Sequence, residues 1–594
     1  MKSREHFMQM LLSLSEWEPG VEQSASIEAL AEILCCTPRN VKLILRKWEK
    51  DGLLSWKAGV GRGNHSTLTI LCDTSTFFSS YFQKLLADGK IGEAVALIQN
   101  RKLPPRLKRL LQEMWDSQFG FVAESGENTS LDVLRIPRQR DFSTLDPAFV
   151  AVASESHFLN QMCHRLVTYD RERQRFLPQL AYAWESNEQR TIWTFYLRKG
   201  VRFHHGRMLS SKDVAYTVQR LIDLDSPYRW QMDDVERIEH PSERVVTFHL
   251  RQPNRFFLHF MGSNAMSILP HDVPFDERAI VGTGPFRMAE YTDDRLVLEA
   301  FEDYYGERAM LDRVELWIVP GPYSRQRLYQ LPDRGDTRPD TDGQEGDLVF
   351  EEVGCHYLAF NFRRPGVHHE YAFRMAMRLI IDRHELIRQL GEHGYTPAGS
   401  FLPQQSRSLS FPSSTLEEAA DWLRRSSYRG EMLSLFMARG TTFDGIASWI
   451  RERCERVGIR LQIESLTKAD FLSPDFEQKA DMAIMGEVLQ NDIELGLLEV
   501  YKNKCTMVHR FLDDAKREWI DGRLSEVLRM KGREKRLGAL LELEETLAAE
   551  QCWLFLYHVK RVDRYHPDLQ GFVADSYGWV DFSKLWVKSF VTRM

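Results

Sequence analysis

A cluster of basic and polar side chains lies between Thr37 and His65, in a chain that is acidic overall. This stretch holds seven Lys and Arg residues against two Asp and Glu, whereas the whole sequence has a formal net charge of −7. Guanidinium and ammonium groups bind phosphate oxygens, and Arg or Asn side chains also bind the edges of bases. Because salt screens distant charges, the local excess determines the field near this surface. The stretch therefore predicts contact with a nucleic acid.

The residues that could make such contacts belong to two predicted elements. Pro38 fits the first turn of a helix, and Thr37 before it is suited to cap the backbone amides of that turn. The first group comprises this cap and the outer face of the helix: Thr37, Arg39, Asn40, Lys42, Arg46 and Lys47. The second group lies in and after the Gly-rich turn at 59–64: Arg62, Asn64 and His65.

The patterns around this cluster indicate the scaffold that would hold it. Apolar residues at helical spacing predict a helix from Phe7 to Leu14 and a second one after a Ser24 or Ser26 cap. The third helix would end near Asp51, and two strands would follow around the Gly-rich tip. Helix, turn, helix and a two-stranded ribbon are typical of a winged helix-turn-helix, whose third helix enters the major groove. A winged helix that binds only proteins is the alternative.

Other residue patterns do not favour catalysis or metal binding. The Gly run at 59–63 lacks the G-x-x-x-x-G-K-[ST] spacing of a phosphate loop, and no G-x-S-x-G nucleophile elbow occurs. His384-Glu385 lacks the second His of a zinc-binding helix. The adjacent histidines at 204–205 and 368–369 would point apart on strands or turns. We therefore predict a protein that is not an enzyme, with no catalytic residue, metal ligand or cofactor.

Length, cysteine usage and hydropathy indicate the compartment. A chain of 594 residues predicts several domains. Its eight cysteines are scattered without a C-x-x-C pair, which is typical of free thiols in a reducing compartment. The segment from Phe7 to Leu14 is too short and polar for an export signal, and no run of about 18 apolar residues occurs. We expect a cytoplasmic protein that does not contact the membrane.

A second pattern begins at Trp193, where a strand-like Trp-Thr-Phe-Tyr-Leu runs into Lys199-Gly200. A Phe203-His-His-Gly206 corner and a helix that opens with Asp213-Val follow it. In this order the segment closely resembles the family 5 bacterial extracellular solute-binding proteins. Further matching pieces are Leu145-Asp-Pro147, Pro178–Trp184, Gly282-Thr-Gly-Pro-Phe286, Ala359-Phe-Asn361 and Ile381-Asp-Arg383.

The N-terminal part resembles the SgrR-type transcriptional regulators, which join a winged helix to a family 5-like domain. The matching residues are Leu30-Ala31, Leu34, Cys36, Arg39, Asp51-Gly52, Trp56 and Gly59-Val-Gly-Arg-Gly63. The resemblance implies an α (+β wing) winged helix-turn-helix followed by a two-lobed α/β periplasmic-binding-protein-like domain of type II, the peptide/nickel-binding family. It places the DNA-binding domain at 1–72, a helical connector at 73–125 and the solute-binding-like domain at 126–594. Lobe one would take about 126–360 with 551–594, and lobe two about 361–550.

The same resemblance implies a function and partners. We expect a cytoplasmic regulator that binds double-stranded promoter DNA and whose larger domain senses a small solute, such as a sugar phosphate or a peptide. A homodimer is left open. The alternative is the solute-binding protein of an ABC uptake system, for an oligopeptide or a similar solute.

A loose alignment with this family suggests ligand-binding residues. Peptide-binding members use an acidic residue shortly after a Gly-Trp pair to bind the peptide amine. In this chain, Glu487 stands where the Trp would be and Gln490 stands near the position of the acid. The candidate ligand contacts are Tyr357, Asn361, Tyr395, Glu487 and Gln490.

Two helical stretches are predicted around these candidates. The apolar spacing predicts one amphipathic helix from Tyr371 to Leu390 and a helical stretch from Glu518 to Glu550 that is broken near Gly532.

Overall fold

The structure is a computed structural model that describes part of the chain. The described residues are 2–13, 19–59, 65–125, 130–138, 141–318, 346–391, 394–438, 443–466, 473, 475–566, 568–573 and 578–588. The chain divides into two units. The first consists of Met1–Asp141, Thr292–Leu296 and Glu315–Thr337, and the second consists of Phe142–Tyr291, Val297–Val314 and Arg338–Met594.

The N-terminal elements follow the order of a winged helix-turn-helix. They are α1 (Lys2–Ser13), β1 (Glu22–Ser24), α2 (Ile27–Ile33), α3 (Pro38–Lys50), β2 (Leu54–Lys57) and β3 (Thr67–Ile70). The strands form one antiparallel sheet in the order β1-β3-β2. Strand β1 adds a third strand that the sequence patterns did not predict.

Three further helices and a β-hairpin complete the described N-terminal region. They are α4 (Thr74–Ala87), α5 (Ile91–Gln99), α6 (Pro105–Asp116), β4 (Gly120–Ser125) and β5 (Ser130–Arg138). Phe7 packs against Trp48 and Phe77, with ring centroids 5.1 and 4.9 Å apart, and Phe82 lies 6.4 Å from Trp115. The winged helix and the helices α4 to α6 therefore share one hydrophobic core.

The next region, from residue 142 to residue 318, combines helices with antiparallel strands. Its elements are α7 (Ala153–Met162), β6 (Val167–Asp170), β7 (Arg175–Pro178), β8 (Ala181–Ser186), β9 (Ile192–Leu197), α8 (Ser211–Asp223), β10 (Val235–Ser242), β11 (Val245–Leu250), α9 (Phe257–Phe260), β12 (Phe286–Tyr291), β13 (Arg295–Ala300) and β14 (Arg313–Ile318). One antiparallel sheet runs in the order β10-β11-β9-β8, and its buried face carries Trp193, Phe195 and Phe248.

The F-H-x-G corner has a packing role. The backbone amide of His204 donates to the carbonyl oxygen of Gly282 over 2.9 Å, and the His204 ring lies 3.1 Å from the Gly284 oxygen. A Cβ atom at Gly282 would overlap the carbonyl oxygen of Met162, so the Gly282-Thr-Gly segment requires glycine. Downstream, the buried carboxylate of Asp213 accepts from the Ser210 amide over 2.7 Å and thereby fixes the start of α8.

The C-terminal region is a second α/β arrangement around a mixed sheet. Its strands are β15 (Gly346–Glu351), β16 (Gly354–Phe360), β17 (Tyr395–Pro397), β18 (Met432–Ala438), β19 (Arg460–Leu466), β20 (Met482–Val488), β21 (Trp553–Tyr565), β22 (Leu569–Gln570) and β23 (Trp586–Val587). The main sheet runs β15-β21-β16-β20-β18-β19, with β18 parallel to both β19 and β20. Its helices are α10 (Tyr371–Ile380), α11 (Arg383–Leu390), α12 (Pro403–Ser406), α13 (Leu416–Arg424), α14 (Phe443–Arg456), α15 (Phe476–Lys479), α16 (Ile493–Lys502), α17 (Met507–Phe511), α18 (Asp514–Arg529) and α19 (Arg533–Ala549).

Helix boundaries in this region follow their capping residues. The single helix predicted from Tyr371 to Leu390 is wrong, because the Asp382 side chain accepts from the Glu385 amide over 2.9 Å and begins a separate helix, α11. The predicted break near Gly532 is confirmed, with Gly532 at φ 87 between α18 and α19. Within the described part of the chain, no helix is long and apolar enough to cross a membrane.

Candidate nucleic-acid interface and ligand cleft

Helix α3 presents a basic face to solvent because its apolar face is buried. Val41, Leu45 and Trp48 point into the core, each at most 2% exposed. Residues on the opposite side of the helix face outward, since the helix repeats every 3.6 residues. Five of the predicted contact residues are exposed on that outer face: Arg39, Asn40, Lys42, Arg46 and Lys47.

Thr37 positions this helix. Its side-chain oxygen accepts a hydrogen bond from the Asn40 amide over 3.3 Å, as the cap interpretation predicted. The turn before it is tight, with Cys35 in the left-handed region at φ 47. The cap therefore fixes where the basic face of α3 begins.

Leu43 is a further candidate contact that the sequence patterns missed. It is 58% exposed on α3 and lies on the same face as Arg39 and Arg46, which are four and three residues away from it. An exposed apolar side chain on a major-groove helix is suited to the methyl group of thymine. Its position between basic residues was the signal available in the sequence.

The structure describes the base of the wing, which comprises residues up to 59 and from 65 onward. His65 is exposed, and the Gly59 amide donates to the Ser66 hydroxyl oxygen over 3.1 Å across the base of the tip. Arg62 and Asn64 lie outside the described residues. Their contacts with a nucleic acid stay predictions.

In the second unit, two predicted ligand residues contact each other. The fully buried Tyr357 on β16 donates its hydroxyl to the Glu487 carboxylate on the paired strand β20 over 2.9 Å. Burial raises the pKa of Glu487 to about 7, and the Tyr357 hydrogen bond opposes this shift. Glu487 as a whole residue is half-buried.

A second carboxyl group lies beside Gln490. Glu499 on α16 accepts from the Gln490 amide over 2.9 Å and from the Gln231 amide over 3.3 Å. Burial, together with charge repulsion from Asp492 and Glu487, raises the pKa of Glu499 to about 8, and the hydrogen bonds from the two glutamine amides oppose this shift. Glu499 and Gln231 are functional candidates that sequence patterns could not identify, because 268 residues separate them.

The other two predicted ligand residues lie in different environments. Asn361 is fully buried, and its amide nitrogen donates to the carbonyl oxygens of Glu477 and Ala480 over 2.7 Å each. Tyr395 is half-buried on β17, with its ring 5.3 Å from the Tyr557 ring. The structure thus brings Tyr357, Glu487 and Gln490 near Glu499, while the Asn361 amide is bonded to backbone.

An open cavity of about 440 Å³ lies in the same unit. Its size is within the range of pockets for small molecules. Apolar side chains dominate the wall, and Arg171 and Glu351 add charge. Its lining includes Arg171, Phe350, Glu351, Val353, Leu402 and Ile493.

One buried group of side chains has the composition of a metal site. His259, Asp492 and Glu494 place their ligand atoms within 4.8 Å of one another. However, the Glu494 carboxylate already binds the Arg536 guanidinium through two contacts of 2.7 and 3.0 Å. His259 contacts Asp492 over 2.5 Å. The His259–Asp492 and Glu494–Arg536 contacts therefore account for these side chains, and we assign no metal to the group.

Comparison with known proteins identifies both parts of the chain. Residues 175–492 match the model of bacterial extracellular solute-binding proteins, family 5 middle region. Residues 2–121 match the N-terminal domain of the sugar transport-related sRNA regulator SgrR.

Relatives with similar sequences extend over nearly the whole chain. The uncharacterized protein YhjP of Bacillus subtilis is 31% identical over 99% of this chain and 100% of its own length. The HTH-type transcriptional regulator SgrR of Yersinia enterocolitica is 25% identical over 98% of this chain and 99% of its own length.

Solved structures with low sequence identity share the fold of the larger part. The periplasmic binding protein DppA of Helicobacter pylori, in complex with the peptide STSA, superposes with a TM-score of 0.65 at 20% identity. The match covers 77% of this chain and 98% of DppA. The murein tripeptide binding protein MppA of Escherichia coli gives 0.62 at 18% identity, covering 77% and 98%. The chain therefore belongs to the family 5 bacterial extracellular solute-binding proteins, as an SgrR-type member that carries the SgrR N-terminal domain.

Proposed function

We propose that the chain is a transcriptional regulator that binds double-stranded DNA and responds to a small solute. One observation carries this proposal. Helix α3 of the SgrR-like domain exposes five basic or amide side chains, and the same chain also contains a region that matches solute-binding proteins. Relatives named HTH-type transcriptional regulator SgrR, aligned over 98% of the chain, support it. We propose that the protein is located in the cytoplasm, because bacterial DNA is there.

The DNA contacts would come from α3 and the wing. Arg39, Asn40 and Lys42 stand in the N-terminal half of α3, which is the half that approaches base edges in helix-turn-helix complexes. Arg46 and Lys47 would bind phosphates. Arg62, Asn64 and His65 would extend the contact from the wing.

The solute would bind where Tyr357, Glu487 and Gln490 meet Glu499. Binding can change DNA affinity only if the protein has two states that differ in affinity for the solute. The proposed role is regulation without catalysis. In this arrangement residues 1–72 recognise DNA, 73–125 connect, and 126–594 form the two-lobed sensor.

A second function, solute capture for an ABC transporter, has one observation in its favour. The solved structures with the same fold include proteins named for dipeptide and oligopeptide binding. Solute uptake does not explain the exposed basic face of α3, so we favour the regulator function over this one. Cell fractionation distinguishes the two, because a receptor would be found outside the cytoplasm.

The proposal is tested by DNA selection with the full-length protein. Genomic fragments retained by the protein would be sequenced, and affinity for the enriched site would be measured by fluorescence anisotropy. We expect one or a few sites bound at least about 1,000-fold more tightly than random DNA. The absence of any enriched site, or equal affinity for the site and random DNA, would contradict the proposal.

A further inference from the structure

We propose that the carboxyl groups of Glu487 and Glu499, with the amide of Gln231, bind an organic cation, a small molecule that carries protonated amine or guanidinium groups. This inference rests on the proposed sensing function and specifies its ligand class. A sugar phosphate, as an anion, would not be the solute of this site.

Neutral donors make the hydrogen bonds to the two carboxyl groups. Glu487 accepts from the neutral Tyr357 hydroxyl, and Glu499 accepts from the neutral amides of Gln490 and Gln231. Among the described residues, neither carboxyl group forms an ion pair with Lys, Arg or His. A buried carboxyl group without a cationic partner keeps its proton, because an unpaired buried charge is costly, and a bound cation would stabilise the ionised form in place of that proton.

Gln231 provides an independent second observation. Its side chain is 1% exposed, and its amide nitrogen is directed at the Glu499 carboxylate. Its amide oxygen is buried and accepts no hydrogen bond within the described part of the chain. Buried polar atoms are nearly always satisfied, so this oxygen indicates a missing donor. The amide oxygen and the Glu499 carboxylate together form a group of acceptors that an N–H donor would satisfy.

The charges around Glu499 also favour a cation. The ionic neighbours that affect it most are acids, Asp492 and Glu487. Asp492 is hydrogen-bonded to His259 over 2.5 Å, whereas Glu487 and Glu499 contact no Lys, Arg or His side chain among the described residues. A bound ammonium or guanidinium group would stabilise both carboxylates, whereas a phosphate would add like charge.

The site also has room beside it. Glu487, Gln490 and Glu499 are half-buried residues. Val353 lines the 440 Å³ cavity, and its carbonyl oxygen accepts from the Leu489 amide over 2.6 Å. Ile493 lines it as well and directly follows Asp492. The cavity therefore adjoins the segment that links the two glutamates.

The experiment is calorimetric titration of the full-length protein with three probes. Agmatine carries an amine and a guanidinium, putrescine carries two amines, and glucose 6-phosphate is an anion. We expect saturable binding of agmatine, putrescine or both at millimolar or lower concentration. In the variants Glu487→Gln and Glu499→Gln, the Kd of the amines should rise about tenfold or more, since each variant removes a charged acceptor for the bound cation. The isosteric variants preserve side-chain volume, and thermal melting confirms that they fold.

Glu526→Gln is the matched control, because Glu526 is exposed on α18 and distant in sequence from the cleft residues. Its affinity for the amines should equal that of the wild type. The proposal is overturned if glucose 6-phosphate binds while the amines do not, if none of the probes binds, or if Glu499→Gln binds the amines as tightly as the wild type.

DNA binding is measured separately, so that the two proposals can fail independently. Amine binding without any specific DNA site would contradict the regulator function and leave the ligand class intact. Specific DNA binding that responds to an anionic solute would contradict only the ligand class.

Discussion

The ring of Trp48, on the helix proposed to recognise DNA, packs edge to face against Phe7 with centroids 5.1 Å apart. The indole N–H of Trp48 also donates to the carbonyl oxygen of Ser3 over 3.2 Å. Phe7 in turn packs against Phe77 of α4. Helix α3 is therefore held in a core that it shares with α1 and α4.

The same core extends to a strand from later in the chain. Trp115 of α6 lies 6.0 Å from Trp317 on β14, and Phe119 lies 5.7 Å from the same ring. The strand β14 spans Arg313–Ile318, and the division between the two units falls within it, at Val314 and Glu315. We infer that a displacement of β14 would be passed to α6 through these rings.

A prediction about coupling follows. Trp317→Leu should keep specific DNA binding in the absence of solute but reduce the solute-dependent change in DNA affinity, by about 0.5–2 kcal/mol of coupling. Anisotropy titrations with and without solute measure this change. Trp519→Leu, at an exposed tryptophan on α18, is the control. Unchanged coupling in Trp317→Leu would show that the contacts of Trp317 with Trp115 and Phe119 do not transmit the effect of the solute.

The helix cap at Thr37 gives a prediction about stability. Thr37→Ala removes the acceptor for the Asn40 amide and should lower the free energy of unfolding of the N-terminal region by about 0.5–2 kcal/mol. Hydrogen exchange of the first amides of α3 measures the loss locally. Thr37→Ser keeps the hydroxyl and should retain most of the protection. Equal exchange in all three proteins would contradict the capping role.

Salt dependence separates base contacts from phosphate contacts on α3. Arg46→Ala should weaken binding to all DNA sequences and reduce the salt slope by about one. Arg39→Ala should cost about 1–3 kcal/mol at the cognate site, with little change on random DNA. Lys84→Ala, an exposed lysine of α4, serves as the charge-matched control. If Arg39→Ala and Lys42→Ala together leave cognate affinity unchanged, α3 is not the recognition helix.

The close approach at Gly282 predicts a large effect of a single methyl group. Gly282→Ala places a Cβ against the Met162 carbonyl and should destabilise the second unit by about 1–3 kcal/mol. Gly522→Ala on α18 is the control, because no atom lies within 4 Å of its added Cβ. It should stabilise the helix by up to about 1 kcal/mol. Denaturant unfolding followed by tryptophan fluorescence compares the two, and similar midpoints would contradict the packing account.

The raised pKa of Glu499 predicts a pH dependence of stability. Between pH 4.5, the ordinary pKa, and about 8, the folded protein holds a proton on Glu499 that the unfolded chain has released. The stabilisation from this proton is present at low pH and is lost as pH rises through that window. Glu499→Gln removes the dependence, so its Tm relative to the wild type should increase from about pH 5 to about pH 8. A constant difference across this range would contradict a raised pKa.

The winged helix was predictable because the residues that determine its helices are close to one another in the sequence. Thr37, Pro38 and the apolar spacing of α3 are close in sequence, and the structure has the corresponding cap and helix. Strand β1 was not predictable, since Glu-Gln-Ser at 22–24 has no strand pattern and pairs only because β3 offers an edge. The break at Asp382 was missed because apolar spacing continues through it, and the Asp382 cap decides the boundary.

The group of candidate ligand residues was only partly predictable from the sequence. A family resemblance pointed to Tyr357, Glu487 and Gln490, which strand pairing and chain proximity bring near one another. Glu499 and Gln231 meet through tertiary packing across 268 residues, and no spacing rule relates them. The hydrogen bonds from the Asn361 amide to the carbonyl oxygens of Glu477 and Ala480 could not be predicted either, because these residues are more than 100 positions away in the sequence.

The central claim is that solute binding and DNA binding are coupled in one chain. The most direct test is calorimetric titration of the solute into the full-length protein, with and without saturating operator DNA. Linkage requires DNA to change solute affinity by the same factor by which the solute changes DNA affinity, about 5–150-fold for typical coupling. We predict such a change in solute Kd. Equal solute affinities with and without DNA would contradict the account.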